Sequence, residues 1–380
     1  MITEFYLPTK IIFGSGSLAR LGAEAKKLGR KAILVTGSGS MRRTGVLDRV
    51  VQDLKDNGVD TLIFDKVVSN PRASTVDEGA RIVRSEGIDL IIGLGGGSAM
   101  DTAKGMTLVS TGTESIVHHM NVRVDVTGRV PLPLILVPTV AASGSEVNRV
   151  AVITDWETHE KRVLLNPLFY AKVSIIDPAL TLTLPKKPTA QGGVDAFCHV
   201  VECYLTTKNP FPLTDGIMET TMRLIVETLP QVLARLDDIE ARTRLSWAST
   251  VACSQFVELG GGAGFRTLHG IEHTLSGYYD IAHGDGLAAL LPTWMRYTLP
   301  AKQDRFDSLG KNVFGETDGI LATEKWLERV GMKLRLRDLG IEPELFEEMA
   351  NSTVKTDALL PKHPRVLDAA AIAQIYQDSY

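Results

Sequence analysis

The sequence predicts an α/β domain built on a parallel sheet, followed by an all-helical domain. Three observations carry this prediction. Short apolar, β-branched runs alternate with helical stretches through the first half, a proline-rich break spans Asp177 to Pro188, and only long helical patterns follow it. The length of 380 residues exceeds the size at which one core usually keeps growing, so the expected domains are 1–185 and 186–380.

Each element follows from local pattern. Lys31 to Thr36 reads as a strand, Val46 to Asn57 as a helix closed by Gly58, and Val59 to Phe64 as the next strand. Ser74 to Glu86 forms a helix ahead of Gly87. The apolar run Ile88 to Leu94 is a strand that enters a glycine-rich turn and a helix from about Ser98. Ile135 to Val137 adds a short buried strand before Pro138. Strands separated by helices must be joined by crossovers, which makes the sheet parallel. Past Pro178, Pro185 and Pro188, helices are expected over Thr189 to Thr206, Thr214 to Leu236, Ala241 to Phe256 and Phe265 to Leu275.

Composition narrows the function classes. A net charge of -4 gives no electrostatic case for nucleic acid or an anionic membrane. Apolar runs are far shorter than the roughly 20 residues a bilayer crossing needs, and the N-terminus lacks an export signal. The three cysteines, Cys198, Cys203 and Cys253, include no CxxC pair and read as reduced thiols of a cytoplasmic protein, with Cys198 packed in a core rather than ligating.

Two loops at strand ends have phosphate-binding character. In Gly95-Gly96-Gly97-Ser98, ahead of Asp101 and Lys104, glycines let backbone approach a pyrophosphate while first-turn amides face its charge. In Pro138 to Glu146, which includes Thr139 and Ser143, small residues and hydroxyls leave room and donors for a diphosphate or ribose. Two such loops favour a dinucleotide and make the first domain Rossmann-like. The loop Gly37-Ser38-Gly39-Ser40, followed by Arg42 and Arg43, carries no acidic residue to accept bonds from ribose hydroxyls. That absence, with Gly and Ser leaving space and donors for a 2′-phosphate and Arg42 or Arg43 adding charge, favours NADP(H) over NAD(H), which stays open as the alternative.

A second constellation has metal-ligand character. Asp195 and His199 stand four apart on a predicted helix and share one face. His269 and His273 share another, and His283 follows a loop containing glycine and tyrosine. With 8 histidines in the chain, this grouping points to a divalent ion. A hard carboxylate with neutral imidazoles suits Fe(II) or Zn(II), and spacing does not choose between them.

Together these motifs resemble the iron-containing, or group III, alcohol dehydrogenase family. The match runs from Phe13-Gly14 to Pro364-Arg365 and includes Asp177-Pro178 and Asp195-Ala196-Phe197-Cys198-His199. Gly37 to Ser40 and Thr44 to Leu47 are similar to the NADPH-dependent butanol dehydrogenase and broad aldehyde reductase branch. The resemblance implies a dehydroquinate synthase-like two-domain fold, with Asp195, His199, His269 and His283 as metal ligands. It implies His273 as a non-ligand beside nicotinamide and substrate, a catalytic candidate for relaying protons or shaping the pocket. It also implies Gly95 to Ser98 as the pyrophosphate loop, Thr139, Ser143 and Leu180 along the cofactor, and Lys161 near the nicotinamide ribose. Ser143 stands where many relatives have Thr, which keeps the hydroxyl. The implied assembly is a homo-oligomer, commonly a dimer, and the implied substrate a small alcohol or aldehyde. The rivals are glycerol dehydrogenase-like or dehydroquinate synthase-like chemistry on the same fold, or a metal-dependent hydrolase, which the glycine turns disfavour.

Overall fold

Uninterrupted apolar runs, whose successive side chains point to opposite faces, produce a sheet buried on both faces. The computed structural model describes residues 4–122, 124–261 and 264–380. Its strands are β1 (Lys10–Phe13), β2 (Lys31–Gly37), β3 (Asp60–Val67), β4 (Leu90–Gly95), β5 (Leu134–Pro138), β6 (Val150–Asp155), β7 (Glu160–Leu165) and β8 (Val173–Ile176). A 6-stranded sheet has the order β1-β8-β5-β4-β2-β3, with every pairing parallel. Strands β6 and β7 form a separate antiparallel hairpin.

The helices of this unit are α1 (Leu21–Leu28), α2 (Ser40–Arg43), α3 (Val46–Asp56), α4 (Ala73–Ser85), α5 (Gly97–Val109) and α6 (Ile116–Asn121). Ala32, Leu34, Leu90, Ile92, Ile135 and Val137 pack in one cluster with Leu47, Val50 and Leu54 of α3. Their neighbours Ile33, Val35, Ile91, Leu134 and Leu136 pack in another with Met100, Ala103 and Met106 of α5. Each such fully buried aliphatic side chain contributes about 1.5–3 kcal/mol, so the alternation itself sets which helix covers which face.

Edge strand β1, strand β8 and the β6–β7 hairpin were not expected from the sequence. β1 and β8 are four residues each, too short for a periodic signal. Asp177 explains how these ends are held. Its carboxylate accepts the amides of Gly16 and Leu18 at 3.1 Å each and of Ala179 at 3.0 Å. That ties the turn after β1 to the one after β8.

The chain divides into two compact units. The sheet unit is Leu7–Val140 with Ser145–Leu184, and the helical unit comprises residues 4–6, Ala141–Gly144 and the described part of 185–380. The helical unit carries α7 (Lys186–Thr206), α8 (Pro212–Ala234), α9 (Ile239–Ala252), α10 (Thr267–Tyr279), α11 (His283–Thr298), α12 (Gln303–Leu309), α13 (Gly319–Arg329), α14 (Phe346–Thr356) and α15 (Ala369–Asp378). From Val194 to Thr206 every residue of α7 is buried, the signature of a helix surrounded by others. Cys198 lies in that core at 0% exposure. No helix among the described residues is long and apolar enough to cross a membrane.

Candidate metal centre

The centre is built on α7, α10 and α11. Asp195 and His199 lie one turn apart on α7, and His269 lies in the first turn of α10. His283, which follows the break after α10, is the first residue of α11.

One carboxylate oxygen is the focus of the set. Asp195 Oδ1 lies 3.4 Å from His269 Nε2, 3.6 Å from His199 Nδ1 and 3.7 Å from His283 Nε2. A tetrahedral ion with bonds of about 2.0–2.2 Å has ligand-to-ligand edges of roughly 3.3–3.6 Å, so these separations fit a divalent cation. Donors of Asp195, His199 and His269 lie within 4.8 Å of one another, and those of Glu272, His273 and His283 form a second such set. His199 Nδ1 is buried without a hydrogen-bond partner, a cost that a bound cation would remove.

The electrostatics reflect the crowding of these groups around one buried carboxylate. Burial pushes the Asp195 carboxyl up, but the His199, His269 and His283 rings outweigh it and hold the group well below the usual carboxylate range. Burial holds His199 well below the ordinary imidazole value, against the pull of the Asp195 carboxylate. Burial also acts against charge on His269, yet Glu202 and Asp195 beside it push its value up to about 9. His273 is buried on α10 one turn beyond His269, with its ring centroid 6.2 Å from that of His269 and 5.4 Å from that of His283. The sequence did not single out Glu202 and Glu272, whose carboxylates meet His269 Nδ1 and His283 Nδ1. A Glu three residues after a predicted His ligand is the one local sign that was available for Glu202.

In the sheet unit, Gly95 closes β4 at φ 153, a conformation favouring glycine, and Gly97 begins α5. No side chain caps α5, which leaves its first amides facing the turn, as an anion site requires. The Thr139 amide donates to Gly95 O at 2.9 Å and so joins the two loops. Leu180 is buried in the short helical turn Pro178–Thr181. Ser143 belongs to the segment 141–144, which is part of the helical unit; there Ser249 Oγ donates to Ala142 O.

Asp101 is engaged within the sheet unit. Its carboxylate accepts Ser145 Oγ at 2.6 Å and the Val152 amide at 3.0 Å, which anchors β6 to α5. Lys104 is wholly buried and donates to Asn148 Oδ1 and Val150 O. Lys161, on β7, donates to Asn70 Oδ1 at 2.9 Å. Asn70 was missed by sequence; it is buried and held at φ 49, a left-handed conformation that asparagine adopts more readily than other side-chain-bearing residues.

Comparison with known proteins agrees with this geometry. Residues 8–178 match the family model described as iron-containing alcohol dehydrogenase, and residues 189–380 match the C-terminal model of the Fe-containing alcohol dehydrogenase family. The chain is 35% identical to NADH-dependent butanol dehydrogenase B of Clostridium acetobutylicum, over 99% of each chain. It is 34% identical to NADH-dependent butanol dehydrogenase A of the same organism, again over 99% of each. The crystal structure of NADH-dependent butanol dehydrogenase A from Thermotoga maritima superposes with a TM-score of 0.94 at 34% identity, covering 99% of this chain and 98% of that one.

These relatives overturn the expectation of an NADP(H) preference and of the NADPH-dependent branch, since the butanol dehydrogenases are named for NADH. The fold supplies a physical reason. Arg42, invoked as a partner for a 2′-phosphate, pairs with Asp65 at 3.1 Å. Arg43 folds back over Gly39, where any Cβ would collide with its guanidinium. The acidic partner of Arg42, Asp65, comes from β3, paired next to β2, and not from the loop itself.

Proposed function

Because the chain belongs to the iron-containing alcohol dehydrogenase family, we propose that it interconverts small alcohols and aldehydes by hydride exchange with NAD(H), at an iron held by Asp195, His199, His269 and His283. The observation that carries the proposal is the single buried oxygen of Asp195 with three imidazole nitrogens 3.4–3.7 Å away. A bound divalent cation supplies Lewis acidity toward an alcohol or carbonyl oxygen, while nicotinamide takes up or gives the hydride.

The chain's own residues then have distinct tasks. Asp195, ionised beside three rings, supplies the negative charge that retains the cation. Gly95, Gly96, Gly97 and Ser98 present backbone amides to a pyrophosphate, with Gly37, Ser38, Gly39 and Ser40 toward the adenosine end and Thr139, Ser143 and Leu180 along the cofactor. Lys161, placed by Asn70, offers its ammonium to the nicotinamide ribose. His273, one turn beyond His269 on α10, relays a proton for the substrate oxygen or shapes the pocket around it. The names of the relatives support a short aliphatic substrate such as butanol or butanal. Light scattering on the purified chain tests the dimer that the family resemblance implies.

The central test is direct. Protein purified without oxygen and loaded with Fe(II) is mixed with NADH and short aldehydes, and nicotinamide absorbance is followed. Oxidation of NADH that chelation abolishes and Fe(II) restores is expected. No turnover by metal-loaded protein with any simple aldehyde refutes the proposal.

A further inference from the structure

Two carboxylates outside the ligand set, Glu202 and Glu272, are each 0% exposed. Burying an ionised carboxylate costs several kcal/mol unless every lone pair it presents is used. Both are used toward metal ligands. Glu202, on α7, meets His269 Nδ1 with Oε1, while its Oε2 accepts the amides of Leu268 at 2.6 Å and His269 at 3.2 Å. Glu272, on α10, meets His283 Nδ1 with Oε2, and its Oε1 accepts Ser276 Oγ at 2.5 Å. Each contact joins two helices, so a chain of carboxylate and imidazole runs from α7 through α10 to α11.

We propose that Glu202 and Glu272 are positioning residues of the metal centre, which fix the Nδ1–H tautomer and ring orientation of His269 and His283 so that each Nε2 faces Asp195. The two are not equivalent. All three partners of Glu202 donate: two backbone amides and an imidazole N–H. A glutamine there must turn its NH2 toward a donor. Its better orientation accepts the two amides and donates to His269 Nδ1, which selects the Nε2–H tautomer and blocks metal binding. Around Glu272 the partner Ser276 is a hydroxyl, and it also reaches Ile281 O at 3.5 Å. A glutamine at 272 keeps its oxygen on His283 Nδ1–H and donates its NH2 to Ser276 Oγ, which then donates to Ile281 O. The carboxylate charge is lost, but the tautomer survives.

This rests on the metal assignment above and deepens it. Co(II) affinity of the full chain is measured by competition with a chromophoric chelator, together with the visible Co(II) spectrum and the thermal midpoint of the apo-protein. Glu202→Gln is expected to weaken Co(II) binding about 100-fold, and Glu272→Gln about tenfold or less with an altered spectrum. In double-mutant cycles, Glu202→Gln adds nothing to His269→Ala, and Glu272→Gln adds nothing to His283→Ala. Wild-type affinity in Glu202→Gln, equal losses in the two variants, or additive effects in either cycle overturn the proposal. If Glu202→Gln does not fold, the cycle of Glu272 with His283 decides alone. The assay contains neither dinucleotide nor alcohol, so a failed dehydrogenase test leaves it intact. Failure of the wild-type chain to bind Co(II) overturns the metal assignment itself.

Discussion

Replacing Gly284 by Ala tests whether helix packing sets the metal geometry. A Cβ built on Gly284 falls 2.5 Å from Gln191 O and 2.8 Å from Gln191 C and Cα. All three atoms are backbone of α7, so no side chain can swing aside. Reaching even the 3.0–3.4 Å range of tight contacts requires α11 to retreat from α7 by roughly 0.5–0.9 Å. His283 is the adjacent residue, and its Nε2 lies 3.7 Å from Asp195 Oδ1 on α7. Functional constellations tolerate about 0.5 Å of misplacement, and metal-ligand distances about 0.2 Å. The expected outcome is a 10- to 100-fold loss of metal affinity, with an overpacking cost of about 1–3 kcal/mol in stability. Competition with a chelator reads the first and thermal unfolding of the apo-protein the second. Gly216→Ala on α8, where an added methyl meets nothing within 4 Å, serves as the control and should be neutral or slightly stabilising. Wild-type metal affinity in Gly284→Ala would refute the idea that the α7–α11 approach sets the site.

Three further outcomes are expected. Asp195→Asn leaves the histidines in place but removes their shared anion, so metal content after dialysis should fall to near zero while circular dichroism stays helical; retention of stoichiometric metal contradicts this. Asp65→Ala frees the Arg42 guanidinium, and one charge-assisted bond to a 2′-phosphate at about 1.5–3 kcal/mol should raise the NADPH-to-NADH ratio of kcat/KM at least tenfold. An unchanged ratio means that Arg42 does not reach that phosphate. His363 is buried, and burial lowers its pKa to about 4. Its neutral form therefore stabilises the fold above pH 6.5, and this contribution is lost as pH falls from 6.5 toward 4, by up to about 3 kcal/mol. Denaturant unfolding of His363→Gln should show a correspondingly flatter decline over that window, and parallel declines would contradict it.

The sequence by itself determined what depends on local periodicity. The uninterrupted apolar runs within Lys31 to Thr36 and Ile88 to Leu94 specify strands buried on two faces, and the helices between them specify parallel pairing. The four-residue spacing of Asp195 and His199 places both on one face of α7 before any tertiary contact exists. Other features required the tertiary structure, because they depend on residues distant in sequence. Strands β1 and β8 are short segments that exist as strands only by pairing with each other and with β5. Gly277, Tyr278 and Tyr279 read locally as loop but close α10, and Gly284 next to His283 lets α11 approach Gln191 of α7 closely. Lys161 finds Asn70 91 positions away. The NADP(H) expectation failed for the same reason: Arg42 was counted as available charge, and its partner Asp65 lies on another strand. Glu202 and Glu272 look like ordinary helix carboxylates until α7, α10 and α11 assemble, when burial requires them to find donors and the nearest are the histidines around Asp195.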